Sequence, residues 1–173
     1  MKAANVYIGL HNPKSPDNVN SIKRAAGNFC ADAIFYTGSR YPRAVKRNPG
    51  GPDMGRSVSL SVPIKGVQSL VDIVHEEMKI ICVELAENAI ALPDFQHPDS
   101  AFYIFGPEDG TLAQDIIDQA DAVIYVPTQG CMNIAATVNV VLYDRLAKAA
   151  HSCFGNALIR QSRDKNNNLI VKK

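Results

Sequence analysis

Six short apolar runs constrain the fold more than any other feature of the chain. They are NVYIGL (5–10), AIFYTG (33–38), SVSLSV (57–62), KIICVEL (79–85), AFYIFG (101–106) and AVIYVP (122–127). Most are continuous rather than alternating, the pattern of strands covered on both faces in a parallel sheet. SVSLSV alternates and reads as an edge or half-exposed strand. Helical spacing fills the intervals between them. Val19, Ile22, Ala26 and Phe29 share one face of 16–29, and Val67, Leu70, Val71 and Val74 one face of 66–77. Leu112, Ile116 and Ala120 do the same after the fifth run, and a last helix spans 131–149. Strand–helix alternation predicts an α/β class, a mostly parallel sheet flanked by helices.

A length of 173 residues suits one domain over 1–173, with a core at 5–150 and a basic tail at 151–173. The end of the tail, NALIRQSRDKNNNLIVKK, reads as weakly structured, with a final strand or hairpin. GSRYPRAVKRNPGGPDMGR (38–56) reads as a long surface loop, a kind that is usually functional or mobile. The net charge of +1 gives no global pull on nucleic acid, so such binding needs a local patch. Arg40, Arg43, Lys46, Arg47 and Arg56, with Tyr41 among them, supply one in this loop.

The cysteines at 30, 82, 131 and 153 form no CxxC or Cys/His cluster, which argues against structural zinc and for no metal. Cys82 reads as a buried free thiol, and the set fits a reducing cytoplasm. MKAANVYIGL is too short and polar for a signal peptide. The longest apolar run, 134–142, is far below the ~20 residues of a membrane span. His11, His75 and His97 have no metal-like spacing and receive no role.

Three segments carry candidate chemistry. In SPDNVNSIKRAAGNF (15–29), Ser15 and Asn18 are both helix-cap candidates, and Asn20, Arg24 and Asn28 share the polar face. A solvated surface is the competing reading. In YIFGPEDGTL (103–112) a strand runs into a glycine-bounded turn, the place where α/β sheets bind ligands. The turn matches neither GxxxxGK[ST] nor GxGxxG. Glu108 and Asp109 would repel a pyrophosphate and suit hydroxyl or ammonium donors. In YVPTQGCMNIAATVNVVLYD (125–144), Cys131 and Asn133 sit where a helix start leaves N–H groups free. The helix behind them is apolar on more than one side (Ile134, Val138, Val140, Val141, Leu142), which predicts a second burying surface such as a subunit partner.

In order and spacing, NVNSIKR, FGPEDG and VPTQGCMNIAATVNVVLYD resemble the three motifs of the SpoU/TrmH-type RNA ribose 2′-O-methyltransferases of the SPOUT superfamily. The resemblance runs from about residue 5 to 149. It implies an α/β fold with a C-terminal deep trefoil knot and a homodimer built through the last helix. It implies S-adenosylmethionine as cofactor, held by Val83, Glu84, Gly106, Gly110, Val126, Cys131, Met132 and Asn133. It implies methyl transfer to a ribose 2′-hydroxyl of tRNA or rRNA, with Arg24 as the essential arginine and Asn18, Glu108 and Asn133 beside it. RNA would dock on Arg40, Arg43, Lys46, Arg47 and Arg56. Asn20 stands where the family usually has glycine, and Cys131 and Ala135 where serines are frequent. These departures keep open a non-catalytic or altered-activity RNA-binding homologue. A base-methylating relative is the other alternative, and the Asn18/Arg24 pair argues against it.

Overall fold

The computed structural model describes residues 5–47, 62–75, 77–149 and 154–172. Seven strands form one sheet: β1 (Val6–Leu10), β2 (Ala33–Tyr36), β3 (Ile64–Gly66), β4 (Lys79–Val83), β5 (Ile90–Ala91), β6 (Ala101–Phe105) and β7 (Ala122–Tyr125). Their order is β3-β2-β1-β6-β4-β7-β5, and every pairing is parallel. The helices are α1 (Pro16–Asn28), α2 (Arg40–Arg47), α3 (Gln114–Asp118), α4 (Ile134–Lys148) and α5 (Asn156–Ser162). The expected α/β class with a parallel sheet is therefore the observed one.

The two-residue pleat sorts the apolar runs onto two faces. Ile81, Val83, Tyr103 and Phe105 pack with α1 and α4 residues such as Val19, Ile22, Val138 and Leu142. Ile80, Cys82, Phe102 and Ile104 pack on the other face with Leu70, Met78 and Leu112. There Tyr7, Phe35 and Phe102 meet edge to face, with centroids 5.4–6.2 Å apart. Gly9 makes room for this cluster, because a Cβ there would stand 2.9 Å from Phe102 Cε2. Cys82 is fully buried, and burial pushes its thiol up to about 12.

Several expectations change. Residues 40–47, read as loop, form helix α2. Pro42 is tolerated in its first turn, where the backbone N–H has no intrahelical partner, and Tyr41 anchors the helix edge-on against Tyr36 at 5.1 Å. The helix expected over 66–77 contracts to one 3₁₀ turn, Val71–Ile73. Its β-branched residues are poor helix formers, and Leu70 still reaches the core. The helix after β6 starts only at Gln114, since the Leu112 N–H is taken by Glu84 Oε2 (2.9 Å). The tail forms α5 rather than a strand or hairpin. Of SVSLSV, residues 57–61 lie outside the described residues, as do Arg56 and Cys153. The apolar flanks of α4 need no second subunit for Ile134, Val138, Val141 and Leu142, because α1 and the sheet bury all four.

His97, given no role on sequence grounds, is the centre of a buried polar network. The Arg145 guanidinium donates to the Tyr103 hydroxyl (3.2 Å), which donates to His97 Nδ1 (2.6 Å), and His97 Nε2–H donates to Asp144 Oδ2 (2.9 Å). This tautomer follows from the network. Arg145 also donates to the Pro98 and Asp99 carbonyls, and Lys148 to those of Leu92 and Phe95. The last turns of α4 thus clasp the segment 92–99. Burial lowers the His97 pKa, more than its bond to Asp144 raises it. A lowered imidazole favours the neutral form in the folded state. The unfolded chain takes up a proton below 6.5 that the folded chain refuses, so stability is complete above that pH and declines below it. Denaturant titrations across pH should show this decline, and His97→Gln should flatten it.

Candidate functional site

Because the strands are parallel, β4, β6 and β7 end on the same side of the sheet. A cavity of about 400 Å³ opens there, within the range of small-molecule sites. Val83 and Glu84 reach it from β4, Phe105 and Gly106 from β6, and Tyr125 and Val126 from β7. Pro107, Glu108 and Gly110 line one wall, and Thr128, Cys131, Met132, Asn133, Ile134 and Thr137 another. Asn18 completes it from α1.

Hydrogen bonds tie the three motif segments together at this cavity. Ser15 caps α1 by accepting from the Asn18 N–H (3.3 Å), with Pro16 in the first helical turn. Glu108 accepts from the backbone N–H groups of Lys14 (2.8 Å) and Ser15 (3.0 Å) and from Asn18 Nδ2 (3.2 Å). Asn18 Oδ1 accepts from Asn133 Nδ2 (3.0 Å). Asn133 Oδ1 in turn caps α4, accepting from the N–H groups of Ala135 (2.9 Å) and Ala136 (3.3 Å). Each amide therefore has one orientation that satisfies both its ends. Burial pushes the Glu108 carboxyl up, but its N–H donors outweigh this and hold it below the usual range. It is a charged brace rather than a proton donor.

Two further carboxylates tie the neighbouring loops, Glu84 in the lining and Asp109 between Glu108 and Gly110. Glu84 accepts from the Leu112 and Leu85 N–H groups at 2.9 and 3.0 Å, joining the loops after β4 and β6. Asp109 receives both terminal nitrogens of Arg40 at 2.8 Å each and Lys14 Nζ at 3.4 Å. The Arg40 hydrogen bond comes first among the causes that hold the Asp109 carboxyl low.

The eight residues expected to hold a cofactor, Val83, Glu84, Gly106, Gly110, Val126, Cys131, Met132 and Asn133, all line this one cavity, with Asn18 and Glu108. Arg24 does not line it; it lies half-buried on α1, and its side chain makes no hydrogen bond or ion pair among the described residues. Arg43, Lys46 and Arg47 are exposed on α2, whereas Arg40 is engaged by Asp109. Sequence reasoning read Asp109 with Glu108 as suited to hydroxyl or ammonium donors but named no partner for it, and it gave no place to Lys14 or the Ser15 N–H. Their partners lie 69 to 95 residues away, so no local pattern could reveal them. No group of three or more His, Cys, Asp or Glu among the described residues could hold a metal.

A parallel α/β sheet with a ligand-sized cavity beyond its strand ends defines the class. Residues 5–143 match the model of the SpoU rRNA Methylase family, and the chain belongs to that family. Three solved structures share the fold. An rRNA methyltransferase from Sinorhizobium meliloti is 18% identical, with a TM-score of 0.68 over 83% of this chain and 56% of its own. The SpoU methyltransferase AviRb from Streptomyces viridochromogenes, in complex with AdoMet, is 18% identical, with a TM-score of 0.65 over 84% and 58%. A structure reported for 2-OH methylation of C/U34 on tRNA is 16% identical, with a TM-score of 0.67 over 83% and 95%. The chain thus spans a little over half the length of the first two. Comparison with curated proteins gives no significant match.

Asn133→Ala removes the α4 cap and the donor to Asn18. It should cost about 1 kcal/mol of stability, read as a lower denaturation midpoint at unchanged slope.

Proposed function

We propose that this chain is an S-adenosylmethionine-dependent RNA methyltransferase acting on a ribose 2′-hydroxyl of tRNA or rRNA in the cytoplasm. The observation that carries this reading is the convergence of Asn18, Glu108 and Asn133, one from each motif segment, at a single cavity of a SpoU-family domain. The AdoMet complex of AviRb and the structure for 2-OH methylation on tRNA support the choice of cofactor and atom.

The cavity's composition fits S-adenosylmethionine. Apolar Val83, Phe105, Val126 and Ile134 stand beside polar Glu84, Thr128 and Thr137, a mixture suited to a flat base with a hydroxyl-rich sugar. Gly106 keeps the floor open, since a Cβ there would lie 2.9 Å from Glu84 Oε2. Gly110, Cys131, Met132 and Asn133 would complete the binding set. When bound, the cofactor supplies a sulfonium-activated methyl group.

The chain's own residues would position the acceptor. A 2′-hydroxyl is a poor nucleophile until it is aligned and its proton leaves. An arginine stays protonated, so Arg24 is read as a phosphate ligand that orients the hydroxyl, with proton loss assisted by that phosphate. Its place outside the cavity lining fits a group that reaches the reaction through RNA, or from a second copy across a shared groove. Glu108 braces the second motif, and Asn18 and Asn133 fix the loops that frame the acceptor. Arg43, Lys46 and Arg47 would contact phosphates, with Arg56 added on sequence grounds.

The same reading includes one domain over 1–173, a C-terminal knot and a dimer. β7 lies between β4 and β5 in the sheet, and α4 doubles back against 92–99. Threading of 122–148 through the segment between β5 and β6 would close a deep trefoil knot. Tyr143 and Leu146 on α4 are 62% and 38% exposed, a face that a second copy would cover.

Methyl transfer from labelled S-adenosylmethionine into total RNA, followed by nucleoside analysis, tests the activity. Arg24→Ala should lower turnover by ~10²-fold or more, the scale of losing a key transition-state contact, while cofactor binding persists. Near-normal turnover would remove Arg24 from the mechanism, and cofactor binding with no RNA methylated would assign a non-catalytic role. Sedimentation should find a dimer that Tyr143→Asp with Leu146→Asp converts to monomer.

A further inference from the structure

We propose that Lys14 and Arg40 form an RNA-phosphate site at the cavity rim, and that Asp109 occupies it as an internal substitute until RNA arrives. This inference rests on the RNA-methyltransferase reading. Its starting point is geometry. Arg40 meets the two Asp109 oxygens through two parallel bonds of 2.8 Å, the fork by which arginine also grips a phosphate. Lys14 Nζ approaches the same carboxylate at 3.4 Å.

The neighbouring acid shows how unlike a structural brace Asp109 is. Glu108 spends its oxygens on backbone N–H groups and Asn18, contacts that hold the turn itself. Among the described residues the Asp109 carboxylate bonds only long cationic side chains, and it is 50% exposed. Arg40 is 29% exposed and Lys14 63%. Incoming phosphate can therefore reach both cations without dismantling the turn. Exposed ion pairs contribute little to stability, so the exchange leaves the fold intact.

The position gives the exchange a use. Glu108 and Gly110, on either side of Asp109, both line the cavity. A phosphate held by Arg40 and Lys14 would lie beside the acceptor ribose. Arg43, Lys46 and Arg47 continue the cationic track along α2. A tethered carboxylate has a high effective concentration, so a lone nucleotide competes poorly against it. An RNA strand that engages α2 at several phosphates gains enough from counterion release to displace it. Asp109 would thus select polymeric RNA over free nucleotides.

Asp109→Asn removes the competing charge with little change in shape. RNA affinity should be measured by fluorescence anisotropy against salt, with bulk tRNA and a mixed-sequence single-stranded RNA as probes. Loss of the internal pair should tighten binding by up to about fivefold, the scale of an exposed ion pair. The slope of log affinity against log salt should stay nearly unchanged, because the same phosphates are bound once Asp109 has been displaced. Equal or weaker binding, with melting temperature and cofactor affinity unchanged, would overturn the proposal and make Asp109 a brace for α2. Arg40→Gln is the second arm: it should weaken RNA binding and flatten the salt slope, and no change in either would also overturn the site. If the wild type bound neither probe, the RNA reading itself would fall. If it bound and methylated RNA while Asp109→Asn gained nothing, only the substitution by Asp109 would fall.

Discussion

The Glu108–Asn18–Asn133 chain of hydrogen bonds is the constraint on which the site depends. Its three members come from α1, the turn after the central strand and the cap of α4. The Glu108 carboxylate cannot rotate away without losing three hydrogen bonds at once, two of them part-buried. The relay therefore fixes the relative positions of three loops that the sheet alone would leave free to shift. The cavity is the space those loops enclose.

A second network works at the far end of α4. Tyr103, His97, Asp144, Arg145 and Lys148 fasten the helix to the segment 92–99. The helix is thus pinned at its N-terminus by Asn133 and near its C-terminus by this cluster, while Val138, Val141 and Leu142 fill the core between. Polar bonds set its register and apolar burial holds it down. A functional loop at its N-terminus can then be short and still well placed.

Parts of this were legible from residues alone. Runs such as KIICVEL and AFYIFG specified two-sided buried strands, because a parallel sheet covered on both faces admits little else. The capped start of α1 was readable to one of two candidates, Ser15 or Asn18, since caps are local chemistry, and the structure takes Ser15. Helix 66–77 was misread because periodicity is weak against the poor helix propensity of consecutive β-branched residues. Helix α2 was missed because its stabilising contact, Tyr41 on Tyr36, belongs to packing rather than pattern.

What the sequence by itself determined is the set of parts: buried parallel strands, capped helices and three motif segments in family order. The strands and helices follow from short-range preferences and hydrophobic spacing, which act over a few residues, and the motifs from their resemblance to the family. Only the tertiary structure decided which parts meet. The bond from Asn18 to Asn133 spans 115 positions, and the one from Arg40 to Asp109 spans 69. Contacts of that range depend on sheet order, which brings the ends of β4, β6 and β7 side by side. Hence Glu108 could be expected at a site from its motif, while its neighbour Asp109 acquired a partner, and a proposed role, only in three dimensions.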